Sequence, residues 1–186
     1  TRTFSGTPLN ANVGTIAVKV TASDGTATVT DTFNLTVTNT NDAPTLANAI
    51  ADQTIAEDAV LGYQVPSNAF ADMDVGDTLT FSATLANGNA LPSWLSFNTD
   101  TRTFSGTPLN GDVGTIALKV AASDGTATVT DTFDLTVTNT NDAPTVANEI
   151  ADQTIAEDAV LSYQVPLNTF ADMDVGDTLT FSATLS

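Results

Sequence analysis

In this chain of 186 residues, the side chains whose type and spacing could do chemistry lie in short acidic turns. Asp72 and Asp74 are separated by one residue, and Asp77 follows close behind. Two carboxylates about 4 Å apart repel by about 4 kcal/mol at an effective dielectric near 20. A calcium ion reverses the sign of that interaction, because it takes about six to eight oxygen ligands. The spacing therefore indicates a divalent cation site.

Three other acidic or amide clusters recur with the same period: Glu57 just before a strand, Asp124 at a turn between two strands, and Asn39–Asp42 in a linker. Asp and Asn also favour turns because their side chains bond the nearby backbone. Each cluster taken alone is therefore explained as well by a solvated turn. Asp52 and Asp58 are expected to be ordinary surface residues.

The composition excludes several classes of protein. The chain has no His and no Cys, which excludes Ser-His-Asp and Cys-His catalysis, a structural zinc site and disulfides. Its formal net charge is −18 with only 4 basic residues, so nucleic acid is not expected as a partner. No apolar run approaches the ~18 residues of a membrane span. Because the carboxylates sit in repeated turns, which make poor catalytic clefts, we do not expect an enzyme.

An internal repeat with a period of 100 residues organises the chain. Residues 1–86 and 101–186 differ at 11 positions, so 75 of 86 are identical. Such copies are typical of extended multi-domain rods. The turn-rich stretch TNTNDAPT divides the chain into the back part of one unit (1–41), a complete unit (42–141) and the front part of another (142–186). We expect a window on a longer array; head-to-tail pairing of the two parts between molecules is the alternative, but it would lack the counterpart of residues 87–100.

The strand pattern of the complete unit predicts an all-β fold. Apolar residues alternate with polar ones in about seven short segments, with no helical period, which is typical of a β-sandwich. Trp94 lies in an apolar run and is expected in the core rather than on a sugar-binding surface. Asp131 interrupts the apolar face of its strand, which predicts a bulge or a bend there.

The order of these segments resembles that of a bacterial cadherin-like repeat, of the dystroglycan-type cadherin-like (CADG, putative Ig) family. The resemblance is carried by FADMDVGDTLTFSA, LPSWLSFNTDTRTFSGTPLNGDVGT, LKVAASDGTATVTDTFDLTVTN and NDAPT. It implies a rod of tandem Greek-key sandwiches, outside the cell or on its surface, in which Ca²⁺ binds at the junctions between units.

The resemblance also implies the ligands of each junction. At the first linker they are Asn39, Asn41, Asp42, Asp72, Asp74 and Asp124. At the second linker they are Glu57, Asp112, Asn139, Asn141, Asp142, Asp172 and Asp174.

Two departures from the family pattern predict weaker binding or fewer ions per junction. Asn39 and Asn139 replace the Asp that begins the cadherin linker, and Asn110-Gly111-Asp112 replaces its Asp-Arg-Glu motif. If one junction alone is occupied, Glu57 and Asp112 favour the second, although that junction lacks a counterpart of Asp124.

The sequence therefore predicts a calcium-stiffened extracellular rod segment of an adhesin. Its partners would be neighbouring repeats of the array and a homophilic or polysaccharide partner. A carbohydrate-binding module and a passive acidic spacer remain the alternatives.

Overall fold

A computed structural model describes residues 2–74, 76–174 and 176–185 of the chain. The described residues form short β-strands and two 3₁₀ turns, Asn10–Asn12 and Asn110–Asp112. The strands are β1 (Gly14–Ser23), β2 (Thr28–Val37), β3 (Thr45–Leu46), β4 (Gln53–Ala56), β5 (Leu61–Gln64), β6 (Phe70–Ala71), β7 (Thr80–Leu85), β8 (Leu95–Asn98), β9 (Thr103–Gly106), β10 (Gly114–Ser123), β11 (Thr128–Thr138), β12 (Thr145–Val146) and β13 (Phe170–Ala171). The expected all-β fold is confirmed.

Two sheets of the central unit face each other as a sandwich. One has the order β4-β11-β10-β7, in which β4 runs parallel to β11 and the other pairs are antiparallel. The other is antiparallel, with the order β5-β9-β8. The short pair β3-β6 lies beside them. Alternation along β10 places Leu118, Val120 and Ala122 inside and fully buried.

Aromatic side chains join the two sheets at the centre of the core. The ring of Phe104 on β9 lies 4.6 Å from that of Phe97 on β8 and 5.8 Å from that of Phe133 on β11. Trp94 packs partly buried against this core, as expected. A Cβ on Gly106 would lie 1.9 Å from the Trp94 carbonyl oxygen, so only glycine allows this close approach.

The strand pairing has no bulge at Asp131, so that part of the expectation of a bulge or a bend is wrong. The β10–β11 register is continuous from Gly114↔Val137 to Ser123↔Thr128, and Asp131 pairs with Val120 within it. Instead, Asp131 Oδ2 accepts a hydrogen bond from the Ile50 amide at 2.7 Å. Nearby, Asp52 is exposed, as expected, and its Oδ1 accepts a hydrogen bond from the Asp134 amide at 2.8 Å, which attaches this residue to β11.

The described residues before 42 and after 141 contain fewer paired strands than the complete unit does. In residues 2–41, β1 and β2 form a two-stranded sheet with the same register as β10 and β11. In the described residues after 141, the strand pairing is confined to β12 and β13. Across the described part of the chain, no helix is long and apolar enough to cross a membrane.

Candidate metal centre

An acidic loop follows β6 and carries Asp72, Asp74 and Asp77. Gly76 turns the chain with φ +104°, a conformation that side chains with a Cβ rarely adopt, and the Asp77 amide donates to the Asp74 carbonyl at 3.3 Å. This turn brings one carboxylate oxygen from each of the three residues within 4.8 Å of the others. Asp72 is half-buried, Asp74 is 5% exposed and Asp77 is exposed.

The linker binds directly to this loop. The Asp42 amide donates to Asp74 Oδ2 at 2.7 Å, and the Asp74 amide donates to Asp72 Oδ1 at 2.9 Å. The other oxygens of these two carboxylates, Asp74 Oδ1 and Asp72 Oδ2, are buried and have no hydrogen-bond partner among the described residues. An unpaired buried carboxylate oxygen is costly, so each of these atoms needs a partner that the described chain does not supply.

A fourth carboxylate approaches the same loop from the turn between β10 and β11. Asp124 Oδ1 accepts from the Thr126 and Ala127 amides at 2.6 Å each, and Oδ2 accepts from Asn41 Nδ2 at 3.0 Å. The bonds from Ala127, Thr126 and Asn41 lower the pKa of Asp124 below its ordinary value. Asp124 is therefore ionised and tied to the linker.

The pKa of Asp77 reflects the negative charge that is concentrated here. Loss of solvation raises the pKa of Asp77, and the charges of Asp74, Asp72 and Asp124 raise it further. The first junction thus combines four mutually repelling carboxylates with a linker that contacts two of them.

The same loop recurs at the second junction with different partners. Asp172, Asp174 and Asp177 again bring carboxylate oxygens within 4.8 Å of one another. The Asp142 amide donates to Asp174 Oδ2 at 2.7 Å, as at the first junction. Here, however, Asp174 Oδ1 accepts from Asn110 Nδ2 at 3.1 Å.

Glu57 contacts the second linker from the central unit. It is 3% exposed, its amide donates to the Thr138 carbonyl at 3.0 Å, and its Oε1 accepts from the Thr140 amide at 2.7 Å. Within the described ranges, its buried Oε2 has no partner. Glu57 belongs to neither of the two three-carboxylate groups found among those residues.

For four other predicted ligands, the structure records a local hydrogen bond or an exposed side chain rather than a contact with the acidic loops. Asp112 Oδ2 accepts from the Leu109 amide at 2.9 Å and so closes its own 3₁₀ turn. Asn141 Nδ2 donates to the Asp142 carbonyl at 2.8 Å. Asn39 and Asn139 lie exposed in the linkers.

Sequence reasoning left Asp77, Asp177, Asn10 and Asn110 outside the ligand sets. Asp77 follows Asp74 by three residues with Gly76 between them, a spacing that places both carboxylates on one side of a tight turn. Asn110 and Asn10 act across a junction, Asn10 Nδ2 donating to Asp42 Oδ2 at 2.7 Å. No spacing rule predicts such a long-range contact.

The donor set fits a calcium ion. Two oxygens on one ion lie at most about 5 Å apart, twice the longest Ca–O distance of ~2.6 Å, and the three oxygens of each loop satisfy this limit. Carboxylate and amide oxygens are the ligands that calcium prefers. The unpartnered buried oxygens of Asp72, Asp74 and Glu57 are the atoms whose cost a bound cation would remove.

Comparison with known families gives the identity of the fold. The family described as "Putative Ig domain" matches residues 1–38 and 43–138, more than two thirds of the chain. The chain belongs to this family. The second match spans most of the complete unit, and the first spans the back part of the preceding one. A comparison with curated proteins found no match.

Among solved structures, cadherin domains share the fold of this putative Ig domain chain. The extracellular cadherin domains 1–4 of protocadherin gamma B7 superpose with a TM-score of 0.51 at 23% identity, over 81% of this chain and 38% of that one. An endo-fucoidan hydrolase of glycoside hydrolase family 107 matches at 25% identity and a TM-score of 0.41, over 73% of this chain. The chain spans 20% of the length of that hydrolase.

Proposed function

We propose that the chain is a calcium-stiffened segment of an extracellular adhesive rod, with its ions at the junctions between units. The observation that carries this proposal is the set of buried carboxylate oxygens without partners at both linkers: Asp72 Oδ2, Asp74 Oδ1 and Glu57 Oε2, within the described residues. Bound calcium would supply the positive charge that these oxygens lack.

The contacts of the linkers support a role in stiffening. At both junctions one carboxylate oxygen of a buried Asp accepts a hydrogen bond from the backbone amide of the linker Asp. Carboxylate oxygens of the other two Asp residues of the loop lie within 4.8 Å of a carboxylate oxygen of that Asp. An ion held by such a loop would also fix the linker residue bonded to the same carboxylate. Because ions that bind the aligned state better shift the population toward it, calcium would restrict bending between units.

In the absence of calcium, charge repulsion within the loop would also affect the linker that is hydrogen-bonded to it. Asp72 and Asp74, with oxygens within 4.8 Å, repel by about 3 kcal/mol at an effective dielectric near 20. Removing calcium should therefore loosen the loop and the linker together. Neighbouring repeats of the array would be the first partners of such a segment.

Calcium titration of the whole chain tests the proposal. We expect calorimetry to detect heat of binding, and the melting temperature to rise with calcium. A free calcium concentration of a hundred times Kd adds about 2.7 kcal/mol to the free energy of unfolding. Small-angle scattering should show a narrower distribution of particle dimensions with calcium than with chelator.

A matched pair of variants separates binding from a general effect of charge. Asp72→Asn should weaken binding, whereas Asp100→Asn, which removes one charge from an exposed turn, should leave it unchanged. No heat of binding, with melting temperature and dimensions equal in calcium and chelator, would leave the passive acidic spacer as the function.

A further inference from the structure

The chain contains two Asn-Gly pairs, Asn87-Gly88 and Asn110-Gly111. In such a pair the backbone nitrogen of the glycine can attack the side-chain carbonyl carbon of the asparagine, because glycine has no Cβ to hinder the approach. A C–N bond forms, the bond to Nδ2 breaks, and Nδ2 leaves as ammonia with the proton of the glycine amide. Water then opens the cyclic imide to aspartate or isoaspartate. The reaction turns a neutral hydrogen-bond donor into a carboxylate.

The two pairs differ in whether the attacking nitrogen is held. The Gly88 amide donates a hydrogen bond to the Leu85 carbonyl at 2.9 Å, and this bond must break before the nitrogen can attack. Gly111 lies in the 3₁₀ turn Asn110–Asp112, where the first amides have no partner within the turn. Among the described residues, no backbone carbonyl accepts a hydrogen bond from the Gly111 amide. Gly111 is also exposed to water, so Asn110 is the more reactive of the two asparagines.

The position of Asn110 in the fold gives this reaction a consequence. Its Nδ2 donates to Asp174 Oδ1 at 3.1 Å, and Asp174 is 5% exposed. Deamidation would remove this donor and place a carboxylate beside a buried carboxylate oxygen. Two such charges repel each other, whereas a divalent cation between them binds both. A hydrogen bond across the second junction would therefore become a repulsive contact that a cation relieves.

We infer that Asn110 is a site of spontaneous deamidation, and that its product supplies an additional carboxylate to the second junction. The chemical step does not depend on calcium, but its effect on ion binding rests on the proposed function. Conversion loosens the second junction in chelator and strengthens calcium binding there. The second junction thus comes to depend more on its ion as the protein ages.

The equivalent turn at the first junction provides an internal reference. Asn10 is half-buried in the 3₁₀ turn Asn10–Asn12, as Asn110 is in its own turn, but Ala11 follows it. The Cβ of alanine hinders the attacking nitrogen, so Asn10 should convert much more slowly. Asn10 also donates to Asp42 Oδ2 rather than to the central Asp of the loop. The inference therefore applies to one junction and not to the other.

Ageing of the whole chain at neutral and mildly alkaline pH tests the chemical step. We expect peptide mapping by mass spectrometry to find aspartate and isoaspartate at residue 110 before residue 87, with ammonia released in step and Asn10 intact. Gly111→Ala is the matched variant, because a Cβ there meets no atom within 4 Å and the φ of Gly111 lies outside the left-handed region. It should lower conversion at residue 110 to the rate at Asn10. An intact Asn110 after Asn87 has converted or after prolonged alkaline incubation, or equal conversion in Gly111→Ala, would overturn the inference.

Asn110→Asp reproduces one product and tests its consequence. In chelator it should melt a few degrees below Asn110→Ala, which removes the hydrogen bond without adding charge. With calcium, the second junction should bind about tenfold more tightly than in wild type, because one anionic ligand is added. Equal melting of the two variants in chelator, or unchanged affinity in a chain that does bind calcium, would overturn the added carboxylate. Conversion and destabilisation without any calcium binding would instead overturn the proposed function, and the deamidation site would stand.

Discussion

The two junctions carry acidic loops of identical sequence, residues 70–85 and 170–185, but the loops have different neighbours. At the first, Asp74 Oδ1 is buried and unpartnered among described residues, and Asp124 adds a fourth carboxylate that Asn41 ties to the linker. At the second, Asn110 occupies Asp174 Oδ1, and the additional acid is Glu57 on the far side of the linker.

This difference shows that the loop alone does not determine the site. Within the described residues, Asp124 of the same unit lies beside the first loop, whereas Asn110 and Glu57 of the preceding unit contact the second loop and its linker, so identical loops have different neighbours. The sequence expectation, based on Glu57 and Asp112, favours the second junction. Within the described residues, the charge of Asp124 beside the first loop and the hydrogen bond of Asp112 to the Leu109 amide lead us to expect tighter binding at the first.

Neutralising the central Asp of each loop gives the largest expected effect. Asp74→Asn keeps an oxygen to accept the Asp42 amide but removes a charged ligand, and should weaken the tighter calcium site on the order of 100-fold. Asp174→Asn should affect the weaker site. Calorimetric titration of both variants measures this; if Asp174→Asn removes the tighter site instead, the second junction is the stronger.

Glu57→Gln tests whether the carboxylate of Glu57, which contacts the second linker from the preceding unit, contributes to calcium binding there. We expect calcium affinity there to fall by about tenfold, since one anionic ligand is lost. In chelator the variant should gain about 1 kcal/mol in free energy of unfolding, because a buried unpaired charge is removed. Denaturant unfolding checks this, with Glu157→Gln at the exposed equivalent position as the control. Equal effects of both variants would contradict a role for Glu57 in the junction.

Asp77→Asn tests the concentration of charge at the first loop through pH. Because the folded state raises the pKa of Asp77, it binds the proton more tightly than the unfolded state does. In chelator, stability should therefore rise as the pH falls from above the raised folded pKa toward the ordinary Asp pKa. Asp77→Asn should remove that part of the profile, melt higher than wild type at neutral pH and bind calcium less tightly.

The control for this measurement is Asp177→Asn, which removes the same charge from the other loop. It should leave the pH dependence contributed by the first loop intact. A wild-type profile in Asp77→Asn, measured by thermal melts across the acidic range, would mean that the four carboxylates do not act together.

The strands were predictable because half-buried β-strands alternate with period two, as Leu118, Val120 and Ala122 do on β10. The same rule failed at Asp131. A carboxylate on the inner face of a strand interrupts the apolar pattern. Here it accepts a hydrogen bond from the backbone amide of Ile50, and the register of the strand stays continuous. Hydrophobic pattern reports which face is buried and not which polar group pairs there.

The candidate site was predictable only in part, for a related reason. Asp72 and Asp74 are close in sequence and therefore close in space, so their grouping followed from spacing. Asn110 lies 64 residues from Asp174, and its hydrogen bond depends on how one unit ends beside the next. Such a contact is a property of tertiary structure, which a one-dimensional period does not contain.

Asn110→Ala should have the smallest effect and separates the two junctions most directly. The variant frees Asp174 Oδ1 for a cation, so calcium affinity at the second junction should rise about threefold, consistent with the loss of one competing hydrogen bond. Asn10→Ala is the matched control, because Asn10 donates to Asp42 Oδ2 and not to the central Asp of the loop. Calorimetry of both variants should show a gain for Asn110→Ala alone. Weaker binding in Asn110→Ala would mean that Asn110 positions Asp174 for the ion rather than competing with the ion for Asp174 Oδ1. The two junctions would then differ in the contacts that position the loop, and not in the number of carboxylate oxygens that are available to an ion.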